Sequence, residues 1–285
     1  MDPRMLQSSP IIVIGMHRSG TRALAQILER LGIFMGADQQ ADSESITFMS
    51  INEGILHQCG GFWSEPMSAH FLLSQPEFVD TLAASVRATL AARLGDYVGR
   101  SGLLSGAGGA ALPAFGWKDP RNTFTLPVWR RVFPNARVIH IVRHGVDVAA
   151  SLARRHSAAL RAAAGTSVPA ALTVIEDHGL GVLSSRRGWT LPEALTMWEQ
   201  YVEKARLETA ELGDALEVRF EDLLADPWPV ISSIAQWCGA NLSDKDPKWI
   251  ENLRADRAFA YRQDPALVEF ATTAREVLVR YGYSP

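Results

Sequence analysis

The sequence predicts an α/β fold in three layers, with helices on both faces of a mainly parallel central sheet. Three observations predict it. Short, continuous, β-branched runs at residues 11–14 and within 136–144 are the pattern of strands buried on both faces. Residues at helical spacing follow each run. Strands and helices alternate along the chain with no composition shift to split it, so residues 1–285 are read as one domain.

In order, "IIVI" is the first strand, and Leu24, Ile27, Leu28 and Leu31 mark the helix after it, with Gly32 as its stop. Residues 41–58 read as a weakly amphipathic helix, and Val79, Leu82, Val86 and Leu90 as a firmer one. The glycine-rich "RSGLLSGAGGAALPA" reads as a loop. "FGWK" is a short strand ending at Lys118, Thr123 to Phe133 a helix, and Pro134-Asn135 a turn. The strand in "ARVIHIVRH" leads into a helix over Val146 to Arg155, where Arg154, Arg155 and His156 suit the negative end of its dipole. Leu195, Trp198, Val202 and Ala205 lie on one stripe of a long helix, Trp198 as a core residue. "ALEVRFEDL" supplies another strand, with Glu221 and Asp222 placed to cap the next helix. Irregular insertions are expected near 42–75, 100–115 and 157–190.

Composition narrows the function. The 285 residues are 47% hydrophobic and 21% charged, enough for a sizeable core. A net charge of -3 argues against a general nucleic-acid or membrane surface, so any anion site is local. Cys59 and Cys238 stand far apart without metal-ligand neighbours and read as plain thiols. The N-terminus lacks a signal-peptide core, and no apolar run reaches the roughly 18 residues that span a bilayer. The expected location is cytoplasmic.

"GMHRSGT" carries the spacing Gly15-x-x-x-x-Gly20 of a phosphate loop between strand and helix. Loop amides and the helix N-terminus there favour an anion. Arg18 adds a charged fork, and Ser19 and Thr21 add hydroxyls. Thr21 stands where a nucleotide hydrolase has its lysine, which counts against ATP or GTP chemistry. A glycine turn with a solvated arginine is the plainer alternative. Arg143 ends a strand where open α/β sheets bind ligands, and Ser151 follows eight residues later; a salt bridge from Arg143 to Asp147 is its plainer role.

These segments resemble those of sulfotransferases that use 3'-phosphoadenosine-5'-phosphosulfate (PAPS). "GMHRSGT" resembles their 5'-phosphosulfate loop, and "VRHGVDVAAS" their 3'-phosphate motif. "WKDPRNTFTL" is similar to a segment of tyrosylprotein sulfotransferases, "GTRAL" to heparan sulfate 3-O-sulfotransferases, and "VRFEDLLADP" to a segment common across the family. The resemblance implies a P-loop-like fold and a donor needing no metal. It places Arg18, Ser19, Gly20, Thr21 and Arg22 around the 5'-phosphosulfate, and Arg143 and Ser151 at the 3'-phosphate.

By analogy with phosphoryl transfer, sulfuryl transfer depends on in-line positioning and charge stabilisation. Arg18 and Lys118 are the cations for the bridging oxygens, and Arg121 serves the acceptor or the nucleotide. Cytosolic members carry a histidine base in the segment matching "GWKDPR", and this chain has none there. A carboxylate is expected instead: Glu44 first, with Glu53, Glu65 and Asp42 as rivals and His57 and His70 without evident partners. Arg186 and Arg187 are open to an anionic acceptor or to water. The expected acceptor is a carbohydrate or small-metabolite hydroxyl, ahead of a peptide tyrosine. The alternatives are a P-loop kinase or hydrolase, and a non-catalytic nucleotide-binding protein on the same fold.

Overall fold

Four parallel strands carry the described part of the chain: β1 (Ile11–Ile14), β2 (Gly116–Lys118), β3 (Arg137–Val142) and β4 (Ala215–Arg219). Their order is β2-β1-β3-β4, with Val13 opposite Lys118 on one side and Ile139 on the other. This computed structural model describes residues 3–99, 113–164, 186–210, 212–242, 250–251 and 253–285.

Alternation along the strands divides the core into two. Ile12 and Ile14 of β1 and Val138 and Val142 of β3 face one apolar cluster. Ile11, Val13, Ile139 and Ile141 face the other. Because both faces are covered, the strands read as unbroken apolar runs.

The helices are α1 (Pro3–Leu6), α2 (Thr21–Arg30), α3 (Ile46–Gln58), α4 (His70–Leu73), α5 (Pro76–Val98), α6 (Asn122–Val132) and α7 (Gly145–Ala164). Then follow α8 (Leu191–Ala210), α9 (Phe220–Ala225), α10 (Pro227–Cys238), α11 (Pro265–Thr273) and α12 (Arg275–Arg280). Local chemistry sets their ends. Ser45 caps α3 by accepting from the Phe48 amide at 3.4 Å. Proline opens α5, α10 and α11, where no amide donor is needed. Gly239 closes α10 in the left-handed conformation.

Several sequence expectations need correction. The stretch 42–75 is not irregular: it holds α3, a 3₁₀ turn over Pro66–Ala69, and α4. The helix from residue 145 does not stop at Arg155; His156 is fully buried and keeps the next turn packed, and the helix reaches Ala164. Arg154, Arg155 and His156 are therefore mid-helix residues. The strand in "ALEVRFEDL" ends at Arg219, and Phe220 starts α9 by turning its ring back under Gly20. Residues 100–112 and 165–185 of the other two expected insertions lie outside the described residues.

A partly exposed polar cluster, with only His140 buried, ties β3, β4 and α8. His140 Nδ1 lies 3.0 Å from Glu217 Oε2, and Arg206 donates to both Glu217 oxygens at 3.0 and 2.8 Å. Burial would raise the Glu217 pKa, but bonds to His140 and Arg206 outweigh it and hold it at about 2, against an ordinary 4.5. A depressed carboxylate stabilises the fold above its unfolded pKa and loses that contribution as pH falls through the folded one. Glu217→Gln is therefore expected to cost about 1–2 kcal/mol at neutral pH, after discounting for its partial exposure. Thermal melts from pH 7 downward should show the gap between the two proteins closing below 4.5. A gap that stays constant to acid pH contradicts the assignment.

Candidate functional site

Residues 15–20 join β1 to α2 at the point where the sheet order reverses, with β2 on one side of β1 and β3 on the other. Such a switch point leaves a crevice at the carboxyl ends of the strands. Two glycines shape the loop. Gly15 and Gly20 have φ of 137° and 97°; a Cβ on the first would strike the Ile141 carbonyl, and one on the second the Phe220 ring. Arg18 is itself left-handed at φ 71°, a strained position for a side chain of its size. The Gly15 amide is held by Thr123 Oγ1 at 3.1 Å.

A cavity of about 640 Å³ opens above this loop, lined among others by Arg18, Gly20, Thr21, Glu44, Lys118 and Arg143. The loop and the start of α7 are bonded to each other. Arg18 Nε donates to Ser151 Oγ at 3.0 Å, and Arg143 Nη1 donates to the Arg18 carbonyl at 3.2 Å. Arg143 also meets Asp147 at 3.3 Å and the Arg257 carbonyl at 2.8 Å, while its Nε is buried without a partner. Asp147 in turn accepts the Ala260 and Tyr261 amides, which brings residues 255–263 against α7. The Trp198 indole fixes Arg143 from behind, donating to its carbonyl at 2.9 Å.

Lys118 at the end of β2 donates to Glu44 Oε1 at 2.9 Å, and Arg121 donates to Glu44 Oε2 at 3.2 Å. Burial raises the Glu44 pKa most, Asp119 adds to that, and Lys118 and Arg121 pull it down; the net direction is up. Behind this pair stands Asn52, fully buried on α3. It donates to Asp119 and Asn122, both at 2.8 Å, and accepts from Thr125 at 2.6 Å and Trp129 at 2.7 Å. All four hydrogen-bonding positions of its amide are thus used.

The sulfotransferase family model matches residues 10–244, most of the chain. The chain belongs to that family. This sulfotransferase-family chain resembles in fold the sulfotransferase domain from the curacin biosynthetic pathway, at 14% identity and a TM-score of 0.50, covering 98% of this chain and 99% of that one. The sulfotransferase domain of the Synechococcus PCC 7002 olefin synthase matches at 19% identity and a TM-score of 0.48, covering 92% and 86%. A sulfotransferase from Alicyclobacillus acidocaldarius matches at 14% identity and a TM-score of 0.46, covering 92% and 95%. No curated protein matches. The chain is a transferase on a mainly parallel α/β fold.

The cavity brings most of the sequence candidates together. Arg18, Thr21, Glu44, Lys118 and Arg143 line one cavity, and Ser151 is bonded to Arg18. Ser19 is buried with its hydroxyl unpartnered, and Arg22 is exposed at the cavity rim. Among the rival bases, Asp42 also lines the cavity, whereas Glu53 pairs with Arg121 at 3.0 Å and Glu65 with Arg187 at 3.4 Å. His57 packs against Phe62, and neither it nor His70 lines the cavity. Arg121 is not free for the acceptor or the nucleotide: Asp119, Glu44 and Glu53 surround it. Arg187 is buried against the Ser64 carbonyl, so it does not simply meet water. Glu221 does not cap its helix from solvent; it accepts from the His144 amide at 2.8 Å and from Tyr283 at 3.1 Å.

Sequence reasoning missed His17, Arg155, Asn52 and Arg257. Only Arg155 left a signal: it lies four residues after Ser151, hence on the same helix face. No helix among the described residues is long and apolar enough to cross a membrane, and no cluster of metal-ligating side chains occurs among them.

Proposed function

We propose that the chain moves a sulfuryl group from PAPS to a hydroxyl of a carbohydrate or small metabolite, acting in the cytoplasm as one domain. The observation that carries this reading is the placement of Arg18 and Arg143 along one wall of a cavity that also holds the Lys118–Glu44 pair. The residues fit such a donor. The loop amides at the α2 N-terminus, Arg18 and Thr21 face the 5'-phosphosulfate, with Ser19 and Arg22 beside them. Arg143, whose buried Nε lacks a partner, and Ser151 hold the 3'-phosphate. PAPS supplies an activated sulfuryl group, and none of these contacts calls for a metal.

Glu44 accepts the proton of the acceptor hydroxyl as that oxygen bonds to sulfur. The bond from sulfur to the phosphate oxygen breaks, and Lys118 and Arg18 neutralise the charge left there. Lys118 must turn from Glu44 toward that oxygen, which frees the carboxylate to act as base.

Calorimetry with 3'-phosphoadenosine-5'-phosphate, in the absence of magnesium, tests the donor assignment; no binding at high micromolar nucleotide would sink it. Arg143→Ala is expected to weaken this nucleotide by about 10- to 100-fold, the worth of charged hydrogen bonds. Adenosine 5'-phosphate, which lacks the 3'-phosphate, should lose little. Equal losses for both nucleotides would move Arg143 to a structural role. Magnesium-dependent ATP binding would favour a kinase or hydrolase instead.

A further inference from the structure

Among the cavity side chains that holding the donor and removing the acceptor proton do not use are His17 and Arg155, both resting on the Trp63 ring. The Arg155 guanidinium stands 5.8 Å from the Trp63 ring centroid, and the His17 ring meets the same tryptophan edge-on at 4.8 Å. Trp63 is fixed in turn, because Tyr201 donates to its carbonyl at 2.6 Å. His17 and Arg155 line the cavity; Trp63 is 8% exposed behind them.

Neither polar group is fully partnered among the described residues. Arg155 is half-buried and makes no hydrogen bond or ion pair among the described residues. Burial lowers its pKa most; Glu44 and Asp42 raise it, and Arg121 lowers it. Those neighbours put it at the Glu44 end of the cavity, close enough to Arg18 that its charge lowers the Arg18 pKa. His17 is 9% exposed, and its Nε2 is buried without a partner. Burial first, then Arg121, Arg155, Lys118 and Arg18, holds its ring well below the usual imidazole pKa, hence neutral. A half-buried guanidinium that closes no ion pair among the described residues and an imidazole with a buried, unpartnered nitrogen are costly unless a ligand meets them. The donor's own anions are met elsewhere, by the loop, Arg143 and Ser151.

We propose that His17 and Arg155, mounted on Trp63, form the acceptor subsite and select a hydroxyl compound that also bears a carboxylate. Arg155 pairs with the carboxylate, and the His17 imidazole hydrogen-bonds a neighbouring polar group, which aims the reacting hydroxyl at Glu44. This rests on the donor reading above, and the experiment separates the two.

Wild type and Arg155→Gln, each saturated with 3'-phosphoadenosine-5'-phosphate, are titrated with methyl glucuronide and with neutral methyl glucoside. Sulfate transfer from labelled donor is measured to the same pair, and to 4-hydroxyphenylacetate and its methyl ester. In wild type the acids are expected to be favoured by about tenfold or more, the worth of one charged hydrogen bond. Arg155→Gln should bring that ratio near unity while nucleotide affinity changes by no more than about twofold, and Arg155→Lys should restore part of it. His17→Gln is expected to raise acceptor KM without weakening the nucleotide. Equal losses on acidic and neutral acceptors, or a nucleotide loss as large as that of Arg143→Ala, would hand Arg155 to the donor and overturn the proposal. With the nucleotide bound normally, neither binding of nor transfer to any acid at millimolar concentration overturns this inference alone. Failure of the nucleotide to bind overturns the donor reading beneath it.

Discussion

Replacing Glu44 by glutamine is expected to lower kcat by about 10²–10⁴-fold, the usual worth of a positioned base. Glutamine keeps the shape and one hydrogen-bond acceptor for Lys118, and Arg121 keeps Asp119 and Glu53. Affinity for 3'-phosphoadenosine-5'-phosphate should therefore stay close to that of wild type. The pH profile offers a second readout. A carboxylate base works ionised, and burial raises the Glu44 pKa, so the acid limb of kcat should lie above the ordinary carboxylate range and vanish in Glu44→Gln. If the variant keeps both its rate and its acid limb, the base is another group. Asp42, on the same cavity wall, is then the next to replace.

Asn52→Leu is expected to cost about 3–5 kcal/mol of stability, a fall in Tm on the order of 10 °C. Leucine has nearly the same volume, so the loss comes from hydrogen bonding rather than from a cavity. It strands the Trp129 indole N–H, leaves the Thr125 hydroxyl only the Arg121 carbonyl at 3.2 Å, and removes a donor from Asp119, the carboxylate that orients Arg121. Calorimetric melting checks the size of the effect, and a Tm within about 2 °C of wild type contradicts it. Because Asp119 directly follows Lys118 at the end of β2, residual folded protein should also turn over more slowly.

How far the site could be read in advance depended on the kind of signal each residue left. The loop over residues 15–20 was legible because a tight turn between a buried strand and a helix needs glycines where a Cβ would clash, here at Gly15 and Gly20. Ser151 entered through the resemblance of "VRHGVDVAAS" to a family motif, and the structure brings it to Arg18 at 3.0 Å. Arg121 was misjudged since sequence shows its charge but not the three carboxylates that converge on it from α3, the turn before it and the turn after β2. Arg155 reads as a helix-end cation because the sequence pattern ends the helix there, nine residues before Ala164. His17 sits inside the recognised loop, yet nothing in its neighbours announces that Trp63 and Tyr201 enclose it.

By itself the sequence determined the α/β class, the parallel strands, the family motifs and the order in which they occur. These follow from local rules: side-chain alternation, helical spacing, and the backbone freedom a tight loop demands. Only the tertiary structure decided that Glu44, 74 residues from Lys118 in the chain, closes an ion pair with it. The same holds for Asn52 beneath them and for Arg155 beside them. Contacts of that kind depend on how α3 and α7 lie across the ends of the strands, and pairing between distant side chains leaves no periodicity in a single sequence.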